Sequence, residues 1–136
     1  MNPLPDELAK GALGEIFVQL KLLQYGVQAA PPIKDSGNDL IAIKEDVFKA
    51  IQVKTTVKEQ FEFNTNDLPT RYHLLALVRL VGGDDEVDWT NSKIYLLPKD
   101  KVTKGYYTEN ELGSYCLSSA YLNEIFSKTK KPNKSF

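Results

Sequence analysis

The chain of 136 residues has one cysteine, Cys116, and one histidine, His73. A lone cysteine excludes an internal disulfide, and its apolar surroundings lead us to expect a buried thiol in a reducing, cytoplasmic setting. A lone histidine excludes a histidine-rich metal centre, and at the start of an apolar run it reads as a satisfied core residue. No apolar stretch approaches the roughly 20 residues that cross a bilayer. The start, MNPLPDELAK, lacks the basic and apolar segments of a signal peptide. There is no glycine-rich phosphate loop ahead of a helix, no GxSxG and no paired zinc-ligand pattern. Charge of one sign is lacking too. Lys and Arg number 17 against 18 Asp and Glu, a net charge of −1, so no global pull toward nucleic acid operates.

Positive charge gathers only locally. Lys128, Lys130, Lys131 and Lys134 form a tail without a carboxylate, which we expect to be solvated and disordered over 129–136. Residues 1–128 are expected to make a single domain, long enough to bury a core and too short for two.

Ala9, Leu13, Ile16, Leu20 and Leu23 recur at helical spacing from about Asp6, and Tyr25–Gly26 closes that helix. At 100° per residue, Glu15 lies roughly 120° from the centre of this stripe, on its flank. Gly11, a poor helix former on the same side, implies that something approaches closely there, and Gln19 lies one turn beyond Glu15. Val27–Ala30 reads as a strand stopped by Pro31–Pro32. Phe61 and Phe63 alternate with polar residues and extend the sheet. Asn64–Pro69 reads as a turn or one helical turn. The run within Tyr72–Val81 reads as a buried central strand, and Ile94–Leu97 as another. Gly82–Asp88 is an acidic loop, Gly105–Gly113 a loop with two tyrosines and Tyr115–Leu117 a short strand. Ser118 or Ser119 caps a final helix.

The chain is organised around Asp35–Lys54, read as turn, strand, reversal at Glu45–Asp46 and second strand. A two- or four-residue loop makes opposed positions sum to 91, so that Asp39 faces Gln52, Ile41 faces Ala50 and Ile43 faces Phe48. Opposed Cβ atoms then lie roughly 5 Å apart on one face, with Lys54 a diagonal neighbour of Asp39 at roughly 7 Å. A three-residue loop would put Asp39 and Gln52 on opposite faces. Asp35 competes with Asp39 but reads as a turn former. Leu40, Ala42, Ile51 and Val53 make the other face apolar, and a sheet apolar on both sides needs two covering layers.

Asp39-x12-Gln52-x-Lys54 with Glu15 on a preceding helix resembles the PD-(D/E)XK nuclease superfamily, through GALGE at 11–15, SGNDLIAI at 36–43 and IQVKT at 51–55. Asn38 stands in place of the motif's proline, and Gln52 in place of its acidic residue. The resemblance implies an α/β, restriction-endonuclease-like three-layer sandwich with a mixed sheet flanked by helices. It implies a Mg2+- or Mn2+-dependent endonuclease acting on duplex or branched DNA, most simply as a homodimer. Asp39, Gln52, the Val53 carbonyl and Glu15 would then serve the metal, and Lys54 the attacking water. Lys58, Arg71, Arg79, Lys130 and Lys131 are candidates for phosphate contacts. Gln52 removes one charge beside the ion, worth about 4 kcal/mol at ~4 Å and a dielectric of ~20 before desolvation. The alternative is an inactive module of the same fold that binds nucleic acid or a protein partner.

Overall fold

A computed structural model describes residues 6–33, 37, 39–82 and 86–127. Helix α1 (Asp6–Gln24) leads through Gly26, at φ 83, into β1 (Gln28–Ala30). The strands β2 (Leu40–Lys44) and β3 (Val47–Thr56) form the expected hairpin. Their pairs run from Leu40↔Ile51 through Ile41↔Ala50 to Lys44↔Val47, each summing to 91. Glu45, at φ 55, makes the tight reversal in the left-handed region. After β4 (Gln60–Glu62) and a 3-10 turn at Thr65–Asp67, the chain returns as β5 (Leu74–Arg79) and β6 (Lys93–Pro98). A short β7 (Tyr106–Thr108), a 3-10 segment Glu109–Tyr115 and α2 (Ser119–Ile125) complete it.

The main sheet has five strands in the order β1-β2-β3-β5-β6, with β3 and β5 parallel and the other neighbours antiparallel. One face, with Leu40, Ala42, Ile51, Val53, Ala76 and Ile94, buries Phe17, Val18 and Leu22 of α1, Leu122 of α2 and Phe126 at the end of α2. The other face, with Leu75, Leu77, Tyr95 and Leu97, is covered by Phe61, Tyr107 and Leu112. The result is three layers around a mixed sheet. Ser118 accepts a hydrogen bond from the Tyr121 N–H at 3.0 Å and so begins α2, as the cap reading required.

Several expectations are corrected. β4 does not extend the main sheet; it pairs with β7 in a separate two-stranded sheet. The stretch expected as a tyrosine loop thus holds a strand, with Tyr107 buried beneath it. Tyr115–Leu117 gives only an isolated bridge, Cys116 to Tyr95, and Cys116 is exposed. His73 is exposed as well, just ahead of β5, where its Nδ1 accepts the Ala50 N–H at 2.8 Å. That bond needs a neutral ring, and partial burial, then Lys49 and Lys99, hold its pKa below the usual histidine value. Asp35 and the whole tail beyond Ser127 lie outside the described residues, Lys130 and Lys131 included.

The largest correction concerns α1. Ile16, Leu20 and Leu23, expected in the core, are 56%, 52% and 59% exposed, whereas Phe17, Val18 and Leu22 are buried. The buried face lies roughly half a turn from the predicted one. Apolar side chains surround much of this helix, so periodicity alone cannot choose among its faces.

Candidate active site

The seat of α1 is set by Gly14. A Cβ there would lie 1.9 Å from the Thr55 Oγ1 of β3, so only glycine lets helix and strand come this close. Gly11, where close approach was expected, has nothing within 4 Å of the corresponding position. Both glycines belong to GALGE, and the sequence carries no signal that separates them. The contact at Gly14 also sets the seat of the next residue, Glu15, which is half-buried. Gln19 instead lines a groove of about 500 Å³ with Ile16, Leu20, Leu23, Ile41 and Ile43.

Asp39 precedes β2 by one residue, just beyond the Leu40↔Ile51 pair at which the paired register ends. Its N–H donates to the Ile51 carbonyl at 3.1 Å, and its Oδ2 accepts the Val53 N–H at 2.8 Å. The second, charge-assisted bond is the stronger kind and holds the carboxylate over β3. One oxygen is thus fixed by backbone, and the other is left for a different partner.

Gln52 is 9% exposed, and among the described residues its buried Oε1 has no hydrogen-bond donor. Such an orphaned acceptor costs about 1–3 kcal/mol unless something positive meets it. Two residues along β3, Lys54 stands on the same face, half-exposed. Glu15 feels this neighbourhood directly. Burial first, and then the charge of Asp39, hold its carboxyl above the ordinary carboxylate range. A carboxyl whose proton affinity is raised by a neighbouring carboxylate is one that a divalent cation would relieve.

Among the described residues, no three Asp, Glu, His or Cys side chains converge as a metal cluster. The oxygen set at hand is two carboxylates, the Gln52 amide and main-chain carbonyls. These are hard donors of the kind magnesium takes, and the orphaned Oε1 fits such an ion. Of the cations suggested for phosphate, Lys58 lines a cleft shared with Lys54. Arg71 is exposed on the loop before β5. Arg79 is engaged elsewhere, ion-paired to Glu109, whose other oxygen accepts the Tyr95 hydroxyl at 2.7 Å. Lys10 lines the same cleft as Lys54 and was missed from sequence. Its only signal was its place one helical turn before Gly14.

No family model matches the chain, and no curated protein sequence does. Solved structures do. The chain is similar to a bacterial homing endonuclease, I-Ssp6803I, with a TM-score of 0.60 and 15% identity over 85% of this chain and 88% of that one. It is also similar to Hjc, a Holliday junction resolvase from the archaeal hyperthermophile Archaeoglobus fulgidus. There the TM-score is 0.56, with 13% identity over 90% of this chain and 99% of that one. At such identities the likeness resides in the arrangement of elements.

Proposed function

Given that this chain has the restriction-endonuclease-like nuclease fold, we propose that it is a metal-dependent endonuclease hydrolysing phosphodiester bonds in DNA. The observation that carries this reading is the Asp39 carboxylate, held to the Val53 N–H next to the orphaned Gln52 and close enough to Glu15 for its charge to help raise that carboxyl's pKa. Asp39, the Gln52 Oε1 and the Val53 carbonyl would hold magnesium or manganese directly, and Glu15 would reach it through water. When bound, the ion would neutralise phosphate charge and make a water more acidic. Lys54 would orient the attacking water and contact the phosphate being cut, and Asp39 would stay aimed through its bond to the Val53 N–H. Each chain carries one such site, so both strands of a duplex are most simply cut by a homodimer. Among the described residues no helix is long and apolar enough to cross a membrane. The lone, exposed Cys116 suits a reducing compartment such as the cytoplasm.

A second reading is favoured by Gln52 itself. A neutral amide where a carboxylate would stand weakens cation binding, which suits a module that binds nucleic acid or protein without cutting. A cleavage assay separates the two. Labelled duplex, single-stranded and four-way-junction DNA is offered to the wild type, Asp39→Ala and Lys54→Ala, with magnesium, manganese or chelator. We expect metal-dependent cutting by the wild type and a loss of at least about 100-fold in each variant, the scale of a catalytic proton-transfer group. Equal activity in wild type and Lys54→Ala would sink the proposal.

A further inference from the structure

A cleft of about 220 Å³ opens beside the site, lined by Lys10 of α1, by Lys54, Thr56 and Lys58 at the end of β3, and by Gln60 and Glu62 of β4. Its origin is the contact at Gly14. Lys10 lies four residues earlier and so on the same helix face. With Gly14 seated on Thr55, that face carries Lys10 over the strand end where Thr56–Lys58 follow. The Lys58 N–H donates to the Thr56 Oγ1 at 3.1 Å, which fixes the bend out of β3. Three lysines and one glutamate thus share a single opening in a chain whose net charge is −1.

The chemistry of the opening selects its ligand. Pockets for drug-sized molecules are mostly apolar and run to roughly 300–1,000 Å³. This one is smaller, and three ammonium groups with threonine, glutamine and glutamate oxygens line it beside Val57, Phe61 and Phe63. Such an opening suits a phosphate group better than a base or a hydrophobic molecule. Because Lys54 belongs both to the cleft and to the proposed site, anything bound here continues into that site.

We propose that Lys10 and Lys58 bind the backbone phosphate adjoining the one at Lys54, making this cleft the track of the strand to be cut. The inference rests on the nuclease reading for the identity of that strand, and it adds the binding residues that hold it in line. It accounts for how a chain without basic excess engages a polyanion: the positive charge is concentrated where the phosphates pass.

The test reads binding, not cutting. Fluorescence anisotropy with a labelled DNA duplex, in chelator, is followed from about 50 to 200 mM salt, a range over which counterion release is steep. Removing two phosphate contacts should lower the slope of log affinity against log salt by about 2. We expect this for the Lys10→Gln, Lys58→Gln double variant, and about half of it for Lys58→Gln alone. Lys93→Gln with Lys101→Gln removes the same charge outside the cleft and should leave the slope unchanged. Equal effects from both double variants would overturn the cleft assignment, as would failure of the wild type to bind DNA. A wild type that binds through these lysines yet never cuts leaves the cleft standing and removes the nuclease reading. Cutting with an unaltered slope does the reverse.

Discussion

Glu15 is the side chain at which stability and activity are expected to part. Its carboxyl titrates above the ordinary value of 4.5, so the folded protein holds a proton that the unfolded chain releases earlier. Stability therefore falls as pH rises through the window between the ordinary and the raised value, and stays lower above it. Glu15→Gln removes this cost. At neutral pH the variant should melt higher than the wild type, by at most about 1 kcal/mol because solvent screens a half-exposed group. Below about pH 4 the two should converge, as both carry a neutral side chain there. Cleavage should be lost over the same pH range. Thermal melts across pH decide it: a variant that melts no higher at neutral pH would show that Glu15 carries no such burden.

The contact of α1 with β3 turns on one missing methyl group. Gly14→Ala improves helix propensity by about 1 kcal/mol but drives a Cβ into Thr55. Overpacking of this kind typically costs about 1–3 kcal/mol, and both the hydroxyl and the methyl of Thr55 crowd the position. A net loss of stability is expected, along with reduced cutting, since Glu15 moves with the helix. Thr55→Ala should recover part of both when combined with it, a coupling that a double-mutant cycle isolates. Gly11→Ala serves as the contrast, with open space around it and an expected gain of up to about 1 kcal/mol. Denaturant titration of the four variants tests the arrangement. It fails if alanine at 14 is as well tolerated as alanine at 11.

At the scale of the whole molecule, one surface is left apolar. Ile16, Leu20 and Leu23 project from α1 beside a groove that includes Ile41 and Ile43, and Phe48 on β3 is 61% exposed. Contiguous apolar surface of this sort marks an interaction site in soluble proteins. It adjoins the candidate site through Glu15, the chain neighbour of Ile16. A second copy seated here would supply the second cutting site that a duplex requires. Sedimentation should show concentration-dependent dimers of the wild type, and Leu20→Glu should return the protein to monomer with its melting curve preserved. A wild type that remains monomeric at tens of micromolar would count against the dimer.

The sequence by itself determined the hairpin and what it carries. Asp39, Gln52 and Lys54 lie within sixteen residues, and a period of two with a reversal at Glu45–Asp46 permits one register that buries Leu40, Ala42, Ile51 and Val53 together. A slip by one residue would expose that set, so local chemistry suffices. It also determined the buried strand β5 and the serine cap of α2, both written in adjacent residues. Only the tertiary structure decided which face of α1 turns inward, because a helix apolar around much of its circumference is oriented by what it packs against. Only tertiary contact made Gly14, not Gly11, the close approach, and placed Lys10 beside Lys58. The pairing of β4 with β7 was decided the same way, across more than forty residues of chain. Such contacts join segments whose own patterns hold no record of one another, so they become legible only when the chain is folded.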